Sequence, residues 1–157
     1  MSESAEKASR TTLRREGGYR FRVRFDHEGM PDLLTDETPP IGEGKGPNPS
    51  RLLATAVANC LAASLLFCLE KARLSLEGLE AEVVTELTRN EAGRLRIGGM
   101  RVRLSPQWTK ETAAKAQRCL GIFESFCVVT DSVRHGVPVT VEVDGMPPVS
   151  GGAGGKP

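Results

Sequence analysis

The longest uncharged run of the chain, Leu52 to Leu69 (LLATAVANCLAASLLFCL), follows directly on a glycine- and proline-rich loop, Gly42 to Pro49 (GEGKGPNP). Asn48, Pro49 and Ser50 supply a helix start, with an N-cap side chain and a proline suited to the first turn, so the run predicts a helix reaching about Arg73. Apolar on every side, such a helix needs to be surrounded by other elements. The rival is a membrane span. At ~1.5 Å per residue the run barely crosses a bilayer core. It also holds Thr55, Asn59 and Ser64 and lacks Trp or Tyr anchors. A buried central helix is therefore expected, with no membrane partner. Cys60 lies in the middle of it. A thiol buried there has a raised pKa and stays inert unless something nearby favours the thiolate.

With 157 residues, 39% hydrophobic and 26% charged, the chain fits one globular domain with a moderate core. The net charge is +1, and the aromatic residues are one Trp, one Tyr and five Phe. This balance excludes an electrostatic argument for nucleic acid and offers few stacking platforms. The polar stretch 1–16 and the Pro/Gly-rich 147–157 read as flexible tails around a single domain, 17–146. The N-terminal residues lack the apolar core of a secretory signal, so a reducing cytoplasm is expected. There Cys60, Cys68, Cys119 and Cys127 would not form a disulfide framework, and their spacings match no zinc module. No cofactor and no metal are expected.

Between the tails the hydrophobic period changes several times. Tyr19, Phe21, Val23 and Phe25 alternate with Arg20, Arg22 and Arg24, the pattern of a half-buried strand, and Asp32 to Thr35 can return as a second one. Leu79–Thr88 and Arg94–Leu104 predict a hairpin about the Asn90–Gly93 turn, with a phase slip at Gly98 and Gly99 that a bulge would supply. Thr109–Phe126 predicts an amphipathic helix with Ala113, Ala116, Leu120 and Phe123 as its apolar stripe and Cys119 on the flank. A short helix ending at His135 and Gly136, then a strand Val137–Val143, complete the chain. This order means an α+β fold with largely antiparallel sheet.

The segments GEGKGPNPSRLLATAVANC and FCVVTDSVRHGVPVTVEV resemble those of the OsmC/Ohr family: a glycine-rich loop, an Asn-Pro helix start, a cysteine in that helix, and a second cysteine before a short helix and terminal strand. The resemblance spans most of residues 19–145. It implies the OsmC-like fold, with largely antiparallel sheets around two long central helices, in an intertwined homodimer with active sites at the subunit interface. It also implies a thiol-dependent peroxidase that reduces organic hydroperoxides, with Cys60 as the attacking and Cys127 as the resolving cysteine, and a small dithiol or lipoylated protein as reductant. A thiolate would attack the peroxide to give a sulfenic acid, and the second thiol would condense with it before over-oxidation.

The chain departs from the family pattern where the thiolate is normally supported. The glutamate usual after Asn-Pro is Ser50, the arginine expected before the loop falls near Pro40, and the proline that often follows the second cysteine is Val128. Arg51 or the strand arginines Arg20, Arg22 and Arg24, with Glu43 as a carboxylate partner, could replace the lost charge. The alternative is an OsmC-fold binding or stress-associated module without peroxidase activity.

The remaining candidates have plainer readings. Cys60 and Cys68 stand ~12 Å apart along a continuous helix, beyond the ~4.4–6.8 Å Cα separation of a disulfide, and both Cys68 and Cys119 read as packing residues. His27 in a turn and His135 at a helix end receive no role. The Gly42–Pro49 loop lacks the residue order of a phosphate-binding loop and reads as a flexible approach to the helix.

Overall fold

A computed structural model describes residues 8–145. Three antiparallel strands, β1 (Thr11–Gly17), β2 (Arg20–Phe25) and β3 (Leu33–Thr35), form one sheet in the order β1-β2-β3. A long helix, α1 (Pro49–Lys71), leads to a two-stranded ribbon, β4 (Leu76–Arg89) and β5 (Leu95–Trp108). Two short helices follow, α2 (Lys110–Lys115) and α3 (Gln117–Ile122), then a 3₁₀ turn at Phe123–Phe126 and α4 (Val128–His135). The α+β class with antiparallel sheets is as expected.

The start of α1 is the predicted one. Asn48 Oδ1 accepts from the Arg51 N–H at 3.1 Å, and Pro49 occupies the first turn, where no N–H is missed. The helix ends at Lys71, after which Arg73 takes a left-handed conformation with φ 57°. Along its length Ala54, Val57, Ala58, Leu61, Ser64, Leu65, Cys68 and Leu69 are buried. They pack on β4, β5, α3, the 3₁₀ turn and α4. Leu65 and Leu69, each 1% exposed, contribute about 1.5–3 kcal/mol apiece by burial.

The opposite side of α1 corrects the expectation of a helix enclosed all round. Thr55, Ala56, Asn59, Ala63, Leu66 and Phe67 are exposed, at the helical spacing of a continuous stripe. The three-stranded sheet does not cover them, because it packs extensively on neither α1 nor the β4–β5 ribbon. Val23 is buried within that sheet, while Leu13, Tyr19 and Phe25 on its surface are open.

The glycine-rich loop is tied rather than loose. The buried Asp36 carboxylate accepts the N–H groups of Glu37 at 2.8 Å and of Glu43 and Lys45 at 3.1 Å each. A Cβ at Gly42 would strike the Glu37 carbonyl, and one at Gly46 the Leu34 carbonyl, so both glycines are demanded by close backbone approach. The β4–β5 turn is closed by Asn90, whose Oδ1 accepts from the Arg94 N–H at 2.9 Å. Opposite it, Glu86 pairs with Gly99 and Leu87 with Ile97, leaving Gly98 as the extra residue of the predicted bulge.

Three further expectations are corrected. The polar N-terminal stretch is strand from Thr11, held by its ladder with β2 and by the Arg22–Glu16 ion pair. The Thr109–Phe126 helix is divided at Ala116, and its inward face is Thr112, Ala116 and Cys119, with Leu120 exposed. The bend lets α2 anchor through Thr112 Oγ1, which donates to the Ser75 carbonyl at 2.8 Å, while Ala116 and Cys119 still meet Leu65 and Leu69. Val137–Val143 has no strand partner among the described residues, and Val137, Val139, Val141 and Val143 are 50–81% exposed. The expected C-terminal tail, 147–157, lies outside the described residues.

Candidate active site

Cys60 and Cys127 come together where the middle of α1 meets the start of α4. Cys127 belongs to a buried cluster with Val57 and Leu61, and Cys60 packs against it. Cys127 is 1% exposed, whereas Cys60 remains partly open, beside the uncovered stripe of α1. Cys127 is the N-cap of α4. It therefore sits where the helix has unpaired N–H groups and a positive dipole end.

The two thiols lie in different electrostatic surroundings. Burial, and then the neighbouring Cys127 side chain, push the Cys60 thiol up, while the backbone N–H groups of Val129 and Thr130 act in the opposite direction. Burial also opposes ionisation of Cys127, but it is outweighed by hydrogen bonding from Cys60, the Thr130 hydroxyl and N–H, and Ser64, so its thiol is held below the usual range. In the protonated state Cys127 donates to Thr130 Oγ1 at 3.0 Å. Rotated, the same hydroxyl donates to the thiolate. Of the two thiols, Cys127 is the one whose charged form these surroundings favour, and the N–H groups at the helix start lie against both sulfurs.

A cavity of about 570 Å³ adjoins the pair. Val57, Leu61 and Thr130, which contact or bond the two cysteines, form part of its wall, and Ile97, Met100 and Val102 of β5 make the facing wall apolar. At its rim Arg134 and Glu124 form an ion pair of 2.7 Å. Neither cysteine itself lines the cavity, so a reactant held there meets the thiols past Thr130 and the α1 side chains.

The predicted arginines lie elsewhere. Arg20 pairs with Glu43 at 2.5 Å, Arg22 with Glu16 at 2.5 Å, and Arg24 with Asp32 at 3.2 Å, all within or beside the three-stranded sheet. Arg51 is exposed in the first turn of α1. None of the four lines the cavity. Thr130, Ser64 and Arg134 were not singled out in the sequence. The only signal was the spacing Cys127-Val-Val-Thr130, which puts a hydroxyl at the third helical position after an N-cap cysteine. Among the described residues, no three Cys, His, Asp or Glu side chains gather as a metal site.

The arrangement can exchange a dithiol for a disulfide and can hold an apolar reactant beside it. Comparison with other proteins places it in a known fold. Sequence comparison with curated proteins yields no match. The structure is similar to an OsmC-like protein from Mycoplasma pneumoniae, with a TM-score of 0.67 at 15% identity over 82% of this chain and 89% of that one. It is similar also to an organic hydroperoxide resistance protein OsmC from Legionella pneumophila, with a TM-score of 0.64 at 18% identity over 83% and 92%. The organic hydroperoxide resistance protein OhrB of Bacillus subtilis matches with a TM-score of 0.59 at 22% identity over 82% and 91%. The profile of OsmC-like proteins matches residues 42–142, from the glycine-rich loop through both cysteines, and the chain belongs to the OsmC/Ohr family.

Proposed function

We propose that this chain is a thiol-dependent peroxidase that reduces organic hydroperoxides through Cys60 and Cys127. The observation that carries this reading is the meeting of two thiols, distant in sequence, at a helix N-terminus beside an apolar cavity. Family members named for organic hydroperoxide resistance support a peroxide-related stress role.

In this reading Cys60 takes the first step, which its partial exposure supports, since Cys127 is sealed. As a hydroperoxide approaches, the Cys60 proton passes to the Cys127 thiolate, and the Cys60 sulfur attacks the peroxide oxygen. The O–O bond breaks, the alkoxide takes a proton and leaves as the alcohol, and Cys60 becomes the sulfenic acid. The Cys127 sulfur then attacks the sulfenic sulfur, releasing water and forming the disulfide. Two equivalents of thiol from a small dithiol or lipoylated protein restore the pair. The N–H groups of Val129 and Thr130 stabilise charge on sulfur in both steps. They supply what an arginine provides in the family pattern.

A homodimer belongs to the same proposal. A second copy would cover the exposed α1 stripe beside Cys60, the open face of the three-stranded sheet, and the unpaired Val137–Val143 segment. The Arg20–Glu43 pair could then face the partner's thiols. A reducing cytoplasm would keep the resting pair reduced.

The test is consumption of cumene hydroperoxide by the reduced protein in the presence of a dithiol. Activity lost in Cys60→Ser, with a Cys60–Cys127 linkage in the oxidised wild type by peptide mass mapping, is the expected result. Equal slow rates in both proteins would favour the alternative, a binding or stress-associated module, which the raised Cys60 pKa and the distant arginines favour.

A further inference from the structure

Cys68 and Cys119 are packing residues by their sequence pattern, and the packing brings them together. Cys68 is on the last turns of α1 and Cys119 in the middle of α3, in one buried cluster with Leu65, Leu69 and Ala116. Each is nearly sealed, at 7% and 4% exposure, yet both line a second cavity of about 280 Å³. Phe67 and Phe126 wall it, with ring centroids 6.0 Å apart in an edge-to-face arrangement. Its charged side chains are Lys71, whose Nζ sits 5.3 Å over the Phe67 ring, and Arg118. No carboxylate lines it among the described residues. Two thiols and two cations thus share one opening, remote along α1 from Cys60.

We propose that Cys68 and Cys119 are a second disulfide-forming pair, oxidised by carboxylate-bearing low-molecular-weight disulfides that Lys71 and Arg118 attract to this cavity. The pair does not depend on Cys60 or Cys127. Cys119 stays protonated near neutral pH, its thiol pushed up to about 11 by burial and then by the neighbouring Cys68 thiol. The first attack falls to Cys68. Its sulfur displaces one half of the small disulfide, forming a mixed disulfide and releasing a thiol that takes the Cys68 proton. The Cys119 sulfur then attacks Cys68, loses its proton to the second leaving thiolate, and closes the protein disulfide. Two protein thiols are oxidised and one small disulfide is reduced to two thiols. The bond ties the C-terminal end of α1 to α3 across the whole β4–β5 ribbon.

The test uses the full-length Cys60→Ser/Cys127→Ser protein, which retains only this pair. After incubation with glutathione disulfide and quenching with N-ethylmaleimide, the intact mass should be lower by two hydrogen atoms, with no alkylation and a Cys68–Cys119 cross-linked peptide. The melting temperature should rise by roughly 10 °C, as closure of a long loop predicts. Glutathione disulfide should react several-fold faster than uncharged 2-hydroxyethyl disulfide, a preference lost in Lys71→Gln/Arg118→Gln. Two alkylated thiols, stable mixed disulfides without closure, or links between chains would overturn the pair. Equal rates with both disulfides would overturn the role of the cations. Should the double variant not fold, the same mapping on the wild-type protein decides the matter, because a Cys68–Cys119 peptide is distinct in mass from a Cys60–Cys127 peptide.

Discussion

Cys127 and Thr130 are joined thiol to hydroxyl at 3.0 Å across the first turn of α4. The contact is buried, and Thr130 both bonds the cysteine and lines the cavity of about 570 Å³. Thr130→Val keeps the shape and removes the donor. A hydrogen bond to a charged group contributes about 1.5–3 kcal/mol, so the thiolate fraction of Cys127 should fall by about tenfold or more near neutral pH. Closure of the Cys60–Cys127 disulfide, followed by stopped-flow after one equivalent of peroxide, should slow accordingly. An unchanged closure rate would remove Thr130 from the mechanism.

The coupling between the two sulfurs has a sign that alkylation can read. Cys127 is, after burial, the main influence raising Cys60. In Cys127→Ala that influence is gone, and the pH midpoint for iodoacetamide labelling of Cys60 should move down. Burial and the Val129 and Thr130 N–H groups remain. A midpoint that stays in place or rises would mean that the thiols do not interact in solution.

Asp36 ties the glycine-rich loop through three N–H groups, that of Lys45 foremost, and they hold its carboxyl below the usual range. A depressed folded-state pKa gives stabilisation that is complete above the unfolded value near 3.9 and is lost as pH falls through the folded one. Amide exchange at Glu43 and Lys45 should therefore be slow at pH 6 and lose protection only below about pH 4. In Asp36→Asn the protection should already be reduced at pH 6. Identical exchange in both proteins would show that the carboxylate does not organise the loop.

Adjacent residues of α1 separate what the chain needs for itself from what lies open. Leu65 is 1% exposed and Leu66 41%. Leu65→Ala should lower stability by about 2–5 kcal/mol in denaturant titration. If the proposed homodimer covers this stripe, Leu66→Glu should leave the folding of the chain nearly unchanged but shift sedimentation from dimer to monomer. A Leu66→Glu protein that sediments like the wild type would overturn the proposed dimer contact at this stripe.

Much of this architecture could be read from local pattern. The Asn48-Pro49 start, the Asn90–Gly93 turn and the extra Gly98 each carry their own backbone chemistry, so they appear where expected. β1 did not, because Thr11–Gly17 has one apolar residue and owes its conformation to pairing with β2. The stripe of the Thr109–Phe126 region is Thr112, Ala116, Cys119 and Phe123 rather than one through Ala113 and Leu120, because the polar Thr112 is drawn inward by its bond to the Ser75 carbonyl. That Cys60 and Cys127 lie together agrees with the family spacing. Their surroundings do not follow from it, since Ser64, Val129 and Thr130 reach the sulfurs through two hydroxyls and a helix end rather than a charged motif.

The uncovered stripe of α1 runs past Cys60. Whatever shields that side of the helix also decides how freely solvent and oxidant reach the sulfur. If the shield is another molecule of the same protein, mass action enters the chemistry: dilution bares the thiol and abundance protects it. Reactivity per chain would then vary with how much of the protein a cell has made.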